Sequence, residues 1–524
     1  MSQFIPPYFS ILIPLILVTG AWLVGRSNLT EVRRRTILRA VSTAIGLSTL
    51  LVTIAFFGIH DQSASGLLRL NGINLTVLFL VSFMAIVLIR FSERYIQAEA
   101  RAHEFWRWLL LSLASVSVVI LSNHLLLLWL GWVAISLCFH RLLLFYPDRP
   151  RAVLAAHKKF ILARLAELCL LAAVLLLYSH HGSFHLDLIL NHYLSLAADT
   201  ELSFTEKLAA FLIAQTALIK CAQLPLHGWL IQVVEAPTPI SALLHAGIIN
   251  LGGFLLISFA PLMVLAPVAQ WTLIIVAGIS TLISALVMMT RISIKVRLAW
   301  STCAQMGLML IECALGLYEL ALLHLLTHSL YKAYAFLNTG EAVQEHSLKQ
   351  LAPQKKVTLF SAFFCISFSI SATAVIALFF GYQGPMSVWL LVNTALALYL
   401  ISAFSQGNPR ASLQAIFIAF ALVGSYILGK SLVGNLLPPL PGASMFSAMD
   451  VWLMILFLLL FALSVQIRLF AQVKQTQTLH RWLFSGLYLD EVMTRLTIQL
   501  WPVVLRPQSY RNKSKQQSLE ELSL

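Results

Sequence analysis

Charge is scarce in this sequence. Only 11% of its 524 residues are Asp, Glu, Lys or Arg, against about a quarter in soluble domains. With 59% apolar residues and a mean hydropathy of +0.85, this excludes an ordinary soluble domain. Cysteine is sparse as well. The six residues Cys138, Cys169, Cys221, Cys303, Cys313 and Cys365 all lie in apolar segments, and none forms a CxxC pair. They supply no disulfide framework and no thiolate metal site, and read as inert packing residues. Strand alternation, a Gly-rich phosphate loop and a soluble domain of useful size are missing. No group of residues assembles nucleophile, base and oxyanion donors, so neither a catalytic centre nor a cofactor is expected within the chain. The first apolar run has no basic region before it, its first arginine being Arg26, so it is not a secretory signal.

What the chain has instead is apolar runs of spanning length. PYFSILIPLILVTGAWLV (7–24) and LTVLFLVSFMAIVLI (75–89) set the pattern, and about 15 candidate spans follow one another to a centre near 460. Basic residues cluster in alternate connections: Arg33 to Arg35, Arg101 and Arg107, Arg149 to Lys159, Arg291 to Arg297, Lys349 to Lys356, Arg410, and Lys474 to Arg481. The connection around 182–207 carries Asp187, Asp199, Glu201 and Glu206 instead. The excess of +14 is therefore topological, a positive-inside pattern, and does not mark nucleic-acid binding. An odd span count with basic loops inside puts the N-terminus outside and the C-terminus in the cytoplasm. LFSGLYLDEVMTRLTIQLWP (483–502) reads as an amphipathic surface segment, and 506–524 as a disordered polar tail.

Polar residues inside these runs carry the chemistry. In IKCAQLPLHGWLIQVVEAPTPISALLHAG (219–247), a helix meets Pro225 and loses backbone hydrogen bonds. Such a break is tolerated in a bilayer only within protein or beside water. Lys220 falls near the middle of that span, where a lysine costs at least about 2.5–3.5 kcal/mol. Desolvation disfavours the charged ammonium, which suits a proton carrier; a structural ion pair is the plainer reading. His227 and His245 flank the break and suit a relay, or are simply packed imidazoles.

In ALLHLLTHSLYKAYAFLNTG (321–340), His324, His328 and Lys332 stand at i, i+4 and i+8 and line one side of a helix. The spacing of HLLTH would suit two zinc ligands, but Leu325 stands where HExxH has its glutamate. A polar stripe for protons is the better reading. Arg164 and Glu167 lie one turn apart in an apolar helix and can pair, as a structural bridge or as a counter-charge for Lys220. Glu312, near a helix end, reads as interfacial.

In order along the chain, KCAQLPLHGWL, APTPISALLHAG, IKVRLAWSTCAQMG (294–307) and HLLTHSLYKAYAFL are similar to the antiporter-like membrane subunits of respiratory complex I and Mrp antiporters. The likeness covers about 120–340, and LYLDE (487–491) looks like their C-terminal region. The resemblance implies an all-α polytopic membrane protein with about 13–15 transmembrane helices, two inverted five-helix repeats and a broken helix. It implies proton movement along a mid-membrane axis through Lys220, His245, His324, His328 and Lys332, with His227, Glu167, Arg164 and Lys295 as further members. The repeat boundaries expected are 1–106 for N-terminal helices, 107–260 for the first repeat, 261–405 for a degenerate second repeat and 406–505 for C-terminal helices.

Two departures stand out. Where the family usually has a glutamate after Gly-Trp, LGWVAISLCFH has Val133, so Glu167 or His140 would have to compensate. Where the family's twelfth helix has a Pro-Pro break and a lysine, SATAVIALFFGYQGP (371–385) has neither. These losses resemble the DabB-type subunits of the DAB inorganic-carbon accumulation system. That resemblance implies a protein of the cell inner membrane whose partner is a DabA-like, zinc-containing, carbonic-anhydrase-like subunit, so that zinc and any catalysis sit in the partner. It also implies coupling of ion flow to hydration of CO2 to bicarbonate. A complex I or Mrp-like cation/proton antiporter subunit, or a non-conducting scaffold, are the competing expectations.

Overall fold

The computed structural model describes residues 5–58, 64–97, 99–197, 200–341, 359–379, 384–404, 409–438, 440, 446–470 and 472–502. The tail 506–524, Asp199, Lys349, Lys355, Lys356 and positions 380–383 lie outside the described residues. The described chain is helical almost throughout. Helices α1 (Ile5–Ser10), α2 (Leu12–Val24) and α3 (Glu31–Gly58) lead into a minimal antiparallel hairpin, β1 (Ala64–Ser65) with β2 (Leu68–Arg69), too short to leave an alternation in the sequence. Then come α4 (Gly72–Tyr95), α5 (Ala102–Leu121), α6 (Leu125–Leu143), α7 (Pro150–His181), α8 (Leu186–Ser195) and α9 (Phe204–Lys220). Four short helices follow: α10 (Gly228–Gln232), α11 (Thr238–Ala246), α12 (Leu251–Ser258) and α13 (Ala260–Val264). Long helices resume with α14 (Pro267–Met289), α15 (Ile294–Ala314), α16 (Tyr318–Leu337), α17 (Leu359–Phe379), α18 (Met386–Phe404), α19 (Pro409–Gly434) and α20 (Ala448–Leu469), and the described chain ends with α21 (Lys474–Phe484) and α22 (Glu491–Leu500).

Ten spans among the described residues are long and apolar enough to cross a membrane. The remainder of the expected spans are helices too, but other features disguise them. The apolar stretches Tyr8–Val24 and Phe363–Val375 are shorter, α9 stops after 17 residues, and α15 and α16 carry Lys295, Arg297, Glu312, Glu319 and Lys332. Large side chains such as Trp22, Ile54, Phe79 and Leu168 are exposed on the outer faces, as a lipid-facing surface requires.

Local signals fix the helices that carry the candidate site. Pro150 opens α7, where its missing N–H is no loss, and Gly182 at φ 66° closes it. Ser203 and Glu206 form a reciprocal capping box that starts α9. In the core, α7 packs along α9, α6 along α7, and α14 along α15. One expectation needs correcting. Lys158 and Lys159 are not part of a basic connection: both lie within α7 and are buried. A run of basic residues beside an apolar stretch looks like a cytoplasmic anchor, whatever its side chains reach.

Candidate functional site: two buried lysine clusters

Lys220 is the last residue of α9, and the chain leaves helical geometry immediately after it. Ala222 takes a left-handed backbone at φ 52°, a conformation a non-glycine residue holds only where its surroundings enforce it. The freed backbone groups find partners within the protein. The Leu224 amide donates to Ser280 Oγ at 3.0 Å, and the Gln223 side chain donates to the Cys221 and Cys303 carbonyls at 2.9 and 3.3 Å. A second interruption, not anticipated from sequence, separates α11 from α12 at Gly247–Asn250.

At the break, Lys220 Nζ donates to Glu167 Oε1 at 3.0 Å and to Ser136 Oγ at 3.0 Å. Ser136 in turn donates a very short hydrogen bond to the same carboxylate. Arg164 Nη2 lies 2.6 Å from Glu167 Oε2, a charge contact without hydrogen-bond alignment. Lys159 Nζ donates to the Ser136 carbonyl at 3.0 Å, so it approaches the cluster from the other side of α6 residue Ser136. The Trp129 indole donates to the Glu167 carbonyl at 2.9 Å, and Trp132 lies 5.8 Å from the Lys220 ammonium. One buried carboxylate thus stands among three cations. Of the two substitutes for the glutamate missing at Val133, the structure selects Glu167. His140 instead sits 3.2 Å from the Ala156 carbonyl, with no hydrogen bond to Lys220. Ser136, one turn beyond Val133, was not singled out in the sequence, because a serine in an apolar helix carries no signal of its own.

The second cluster lies between α11, α15 and α16. Lys332 is buried and donates to Ser301 Oγ at 2.9 Å and to the Leu298 carbonyl at 3.2 Å. His245 is fully buried, stacked on Phe336 at 4.3 Å, with Lys332 as its electrostatic neighbour. His328 has His324, Lys332 and His245 as its titratable neighbours, and its ring lies 5.9 Å from that of His324. Both ring nitrogens of His245 and of His328 are buried without a protein partner. His324 Nδ1 lies 3.0 and 3.1 Å from the two Glu312 oxygens, so Glu312, near the end of α15, also pairs with the histidine row. The histidine stripe is real, and its outer end is a carboxylate.

Two candidate residues fall outside both clusters. His227 lines a cavity of about 410 Å³ with Gln232, Arg291, Trp300, Asp490 and Thr494. Lys295 donates to Thr238 Oγ1 at 3.0 Å, at the start of α11. The C-terminal segment is not a free surface helix. Asp490 accepts from the fully buried Lys158 at 2.7 and 2.9 Å and from Gln232 at 3.0 Å, while Lys158 also reaches Thr494 at 2.8 Å. Gly228 is needed there, since a Cβ on it would lie 1.5 Å from Asp490 Oδ1. Trp501 stacks on His157 at 3.9 Å. The segment therefore docks across α7 and the far side of the helix break.

A helix broken beside a buried lysine, with a second buried lysine ringed by histidines, defines a multi-pass membrane subunit of the antiporter-like class. The NADH:quinone oxidoreductase/Mrp antiporter membrane family matches residues 122–408. The chain is 43% identical over 531 residues to the probable inorganic carbon transporter subunit DabB of Hydrogenovibrio crunogenus, covering 99% of both chains. It is 35% identical over 446 residues to the probable inorganic carbon transporter subunit DabB2 of Halothiobacillus neapolitanus, covering 83% of this chain and 80% of that one. Among solved structures, the Mrp complex from Dietzia sp. DQ12-45-1b contains a chain that superposes at a TM-score of 0.58 with 19% identity. This chain is covered in full and spans 63% of that one. The chain belongs to the NADH:quinone oxidoreductase/Mrp antiporter family and, within it, to the DabB-type subunits.

Proposed function

We propose that this chain is a proton-conducting subunit that couples an ion gradient to a partner, and that the coupled process is accumulation of inorganic carbon as bicarbonate. The observation that carries the reading is the Lys220–Glu167–Ser136 cluster at a helix break inside the bilayer. Gathering Lys220, Arg164 and Lys159 around one buried carboxylate leaves more basic groups than acids, so proton occupancy at Lys220 or Lys159 would respond to any movement of Glu167. A proton released there would pass towards Lys332, whose histidine neighbours have buried ring nitrogens with no protein partner. His324 and Glu312 would form the far end of that relay.

Transport is then this chain's contribution. Hydration of CO2 would belong to a DabA-like, zinc-containing, carbonic-anhydrase-like partner. The chain would lie in the cell inner membrane with its N-terminus outside and its C-terminus in the cytoplasm. Its likeness to two inorganic carbon transporter subunits, one of them matched over 99% of both chains, supports this reading over a complex I or Mrp-like antiporter subunit. Reconstituted with its partner, the chain should support a carbon uptake that collapses with an uncoupler and falls to background in Lys220→Ala. Full uptake in that variant would overturn the proposal.

A further inference from the structure

Away from both lysine clusters, three helix ends bring metal-ligating side chains together. His180 and His181 occupy the last turn of α7, which Gly182 terminates. Glu206 is the third residue of α9, and His192 comes from α8. One ligating atom each from His180, His181 and Glu206 lie within 4.8 Å of one another. The His192 ring is 5.1 Å from that of His181.

We propose that His180, His181 and Glu206 bind a zinc-class divalent cation, with His192 in position to complete the shell. Two imidazoles and a carboxylate are a common zinc ligand set, and a fourth position is filled by a further side chain or water. Tetrahedral bonds of about 2.0–2.1 Å need ligand atoms closer than they stand, but His180 and His192 are exposed and their rings can turn inward. The carboxylate is already oriented. Glu206 Oε2 accepts from the Ser203 amide and hydroxyl at 2.8 and 2.7 Å, while Oε1 faces His180 Nε2 at 3.4 Å. The Tyr193 hydroxyl also bonds to this carboxylate, so a bound ion would share or displace that contact as it takes Oε1. His181 Nε2 lies 2.8 Å from the buried Tyr193 hydroxyl, so the ion either exchanges that bond or uses Nδ1.

Histidines in a last helical turn also complement the helix dipole. That effect accounts for imidazoles on α7 alone and does not gather a buried carboxylate from α9 and a histidine from α8. The donor set selects the cation class: imidazole suits zinc, nickel, cobalt and copper, whereas magnesium and calcium take oxygen ligands. The site ties the end of α7 to the start of α9, the helices that hold Glu167 and Lys220. A bound ion would therefore fix their spacing and slow any exchange that needs them to shift. The binding itself is independent of whether the chain conducts protons.

The test uses the full-length chain in detergent, stripped with a chelator and titrated with ZnCl2 or MgCl2. Bound metal and the thermal unfolding midpoint are measured for wild type, His180→Ala/His181→Ala and Glu206→Gln, the last retaining a capping acceptor. Wild type should bind one more zinc ion than the double variant and unfold at a higher temperature with zinc but not magnesium. Glu206→Gln should weaken zinc affinity at least about tenfold. Comparing variants removes any zinc held by a co-purifying partner. Equal zinc binding and equal midpoint shifts in all three proteins, or no zinc binding by wild type, or the same response to magnesium, would overturn the proposal.

Discussion

The two lysine clusters solve the same problem differently. Lys220 is neutralised directly by Glu167, which Arg164 and Ser136 also engage. Among the described residues, Lys332 has no carboxylate in contact. A hydroxyl and a carbonyl hold it, and the nearest acid in its histidine row, Glu312, bonds to His324 at the outer end. The first cluster is built around an ion pair and the second around buried imidazoles. The helix frames differ too: α9 ends at its lysine, whereas α16 runs on past Lys332 to Leu337. A charged pair at a break can change state by a small shift of one side chain, while a lysine in an unbroken helix depends on its neighbours to take the proton.

That contrast predicts unequal responses to mutation. Glu167→Ala should have the largest effect. Removing the acid leaves buried cations unpaired and should destabilise the protein by about 3–5 kcal/mol, read as a lowered unfolding midpoint in detergent. Adding Lys220→Met in the same chain should recover part of that loss; no recovery would mean that the pair is not the stabilising unit. Next, Gly228→Ala drives a methyl group into Asp490 and should cost about 1–3 kcal/mol, with faster proteolysis of the C-terminal segment. Lys332→Met should separate stability from function. An apolar isostere replaces an ammonium with no acidic partner, so the midpoint should barely move while uncoupler-sensitive uptake is lost. If Lys332→Met destabilises as strongly as Glu167→Ala, the two clusters are not different in kind. The smallest effect belongs to Glu312→Gln, at a mostly buried pair with His324 where the amide keeps a hydrogen-bonding oxygen, which should cost about 1 kcal/mol and slow uptake without abolishing it.

Much of this frame was legible in the sequence because its signals are local. Prolines and charge within an apolar run marked the break at Lys220, the i, i+4, i+8 spacing marked the histidine stripe, and the i, i+3 spacing marked Arg164 with Glu167. What stayed hidden depends on distant partners. Lys158 looked like a cytoplasmic anchor until Asp490, far along the chain, was found against it, and Lys159 looked the same until the Ser136 carbonyl was found to accept its hydrogen bond. Glu312 lacked meaning without His324, although only one short turn separates their helices. The zinc-class site was invisible for the same reason, being drawn from the ends of three helices.

The central claim is that Glu167 performs at Lys220 the task usually given to a glutamate at the position of Val133. Moving the acid back tests it most directly. Uncoupler-sensitive carbon uptake would be measured for the complex carrying Glu167→Gln and for the same complex carrying Glu167→Gln with Val133→Glu. The account predicts that the single substitution abolishes uptake and that the second restores a clear part of it. Wild-type uptake by Glu167→Gln alone would contradict the account.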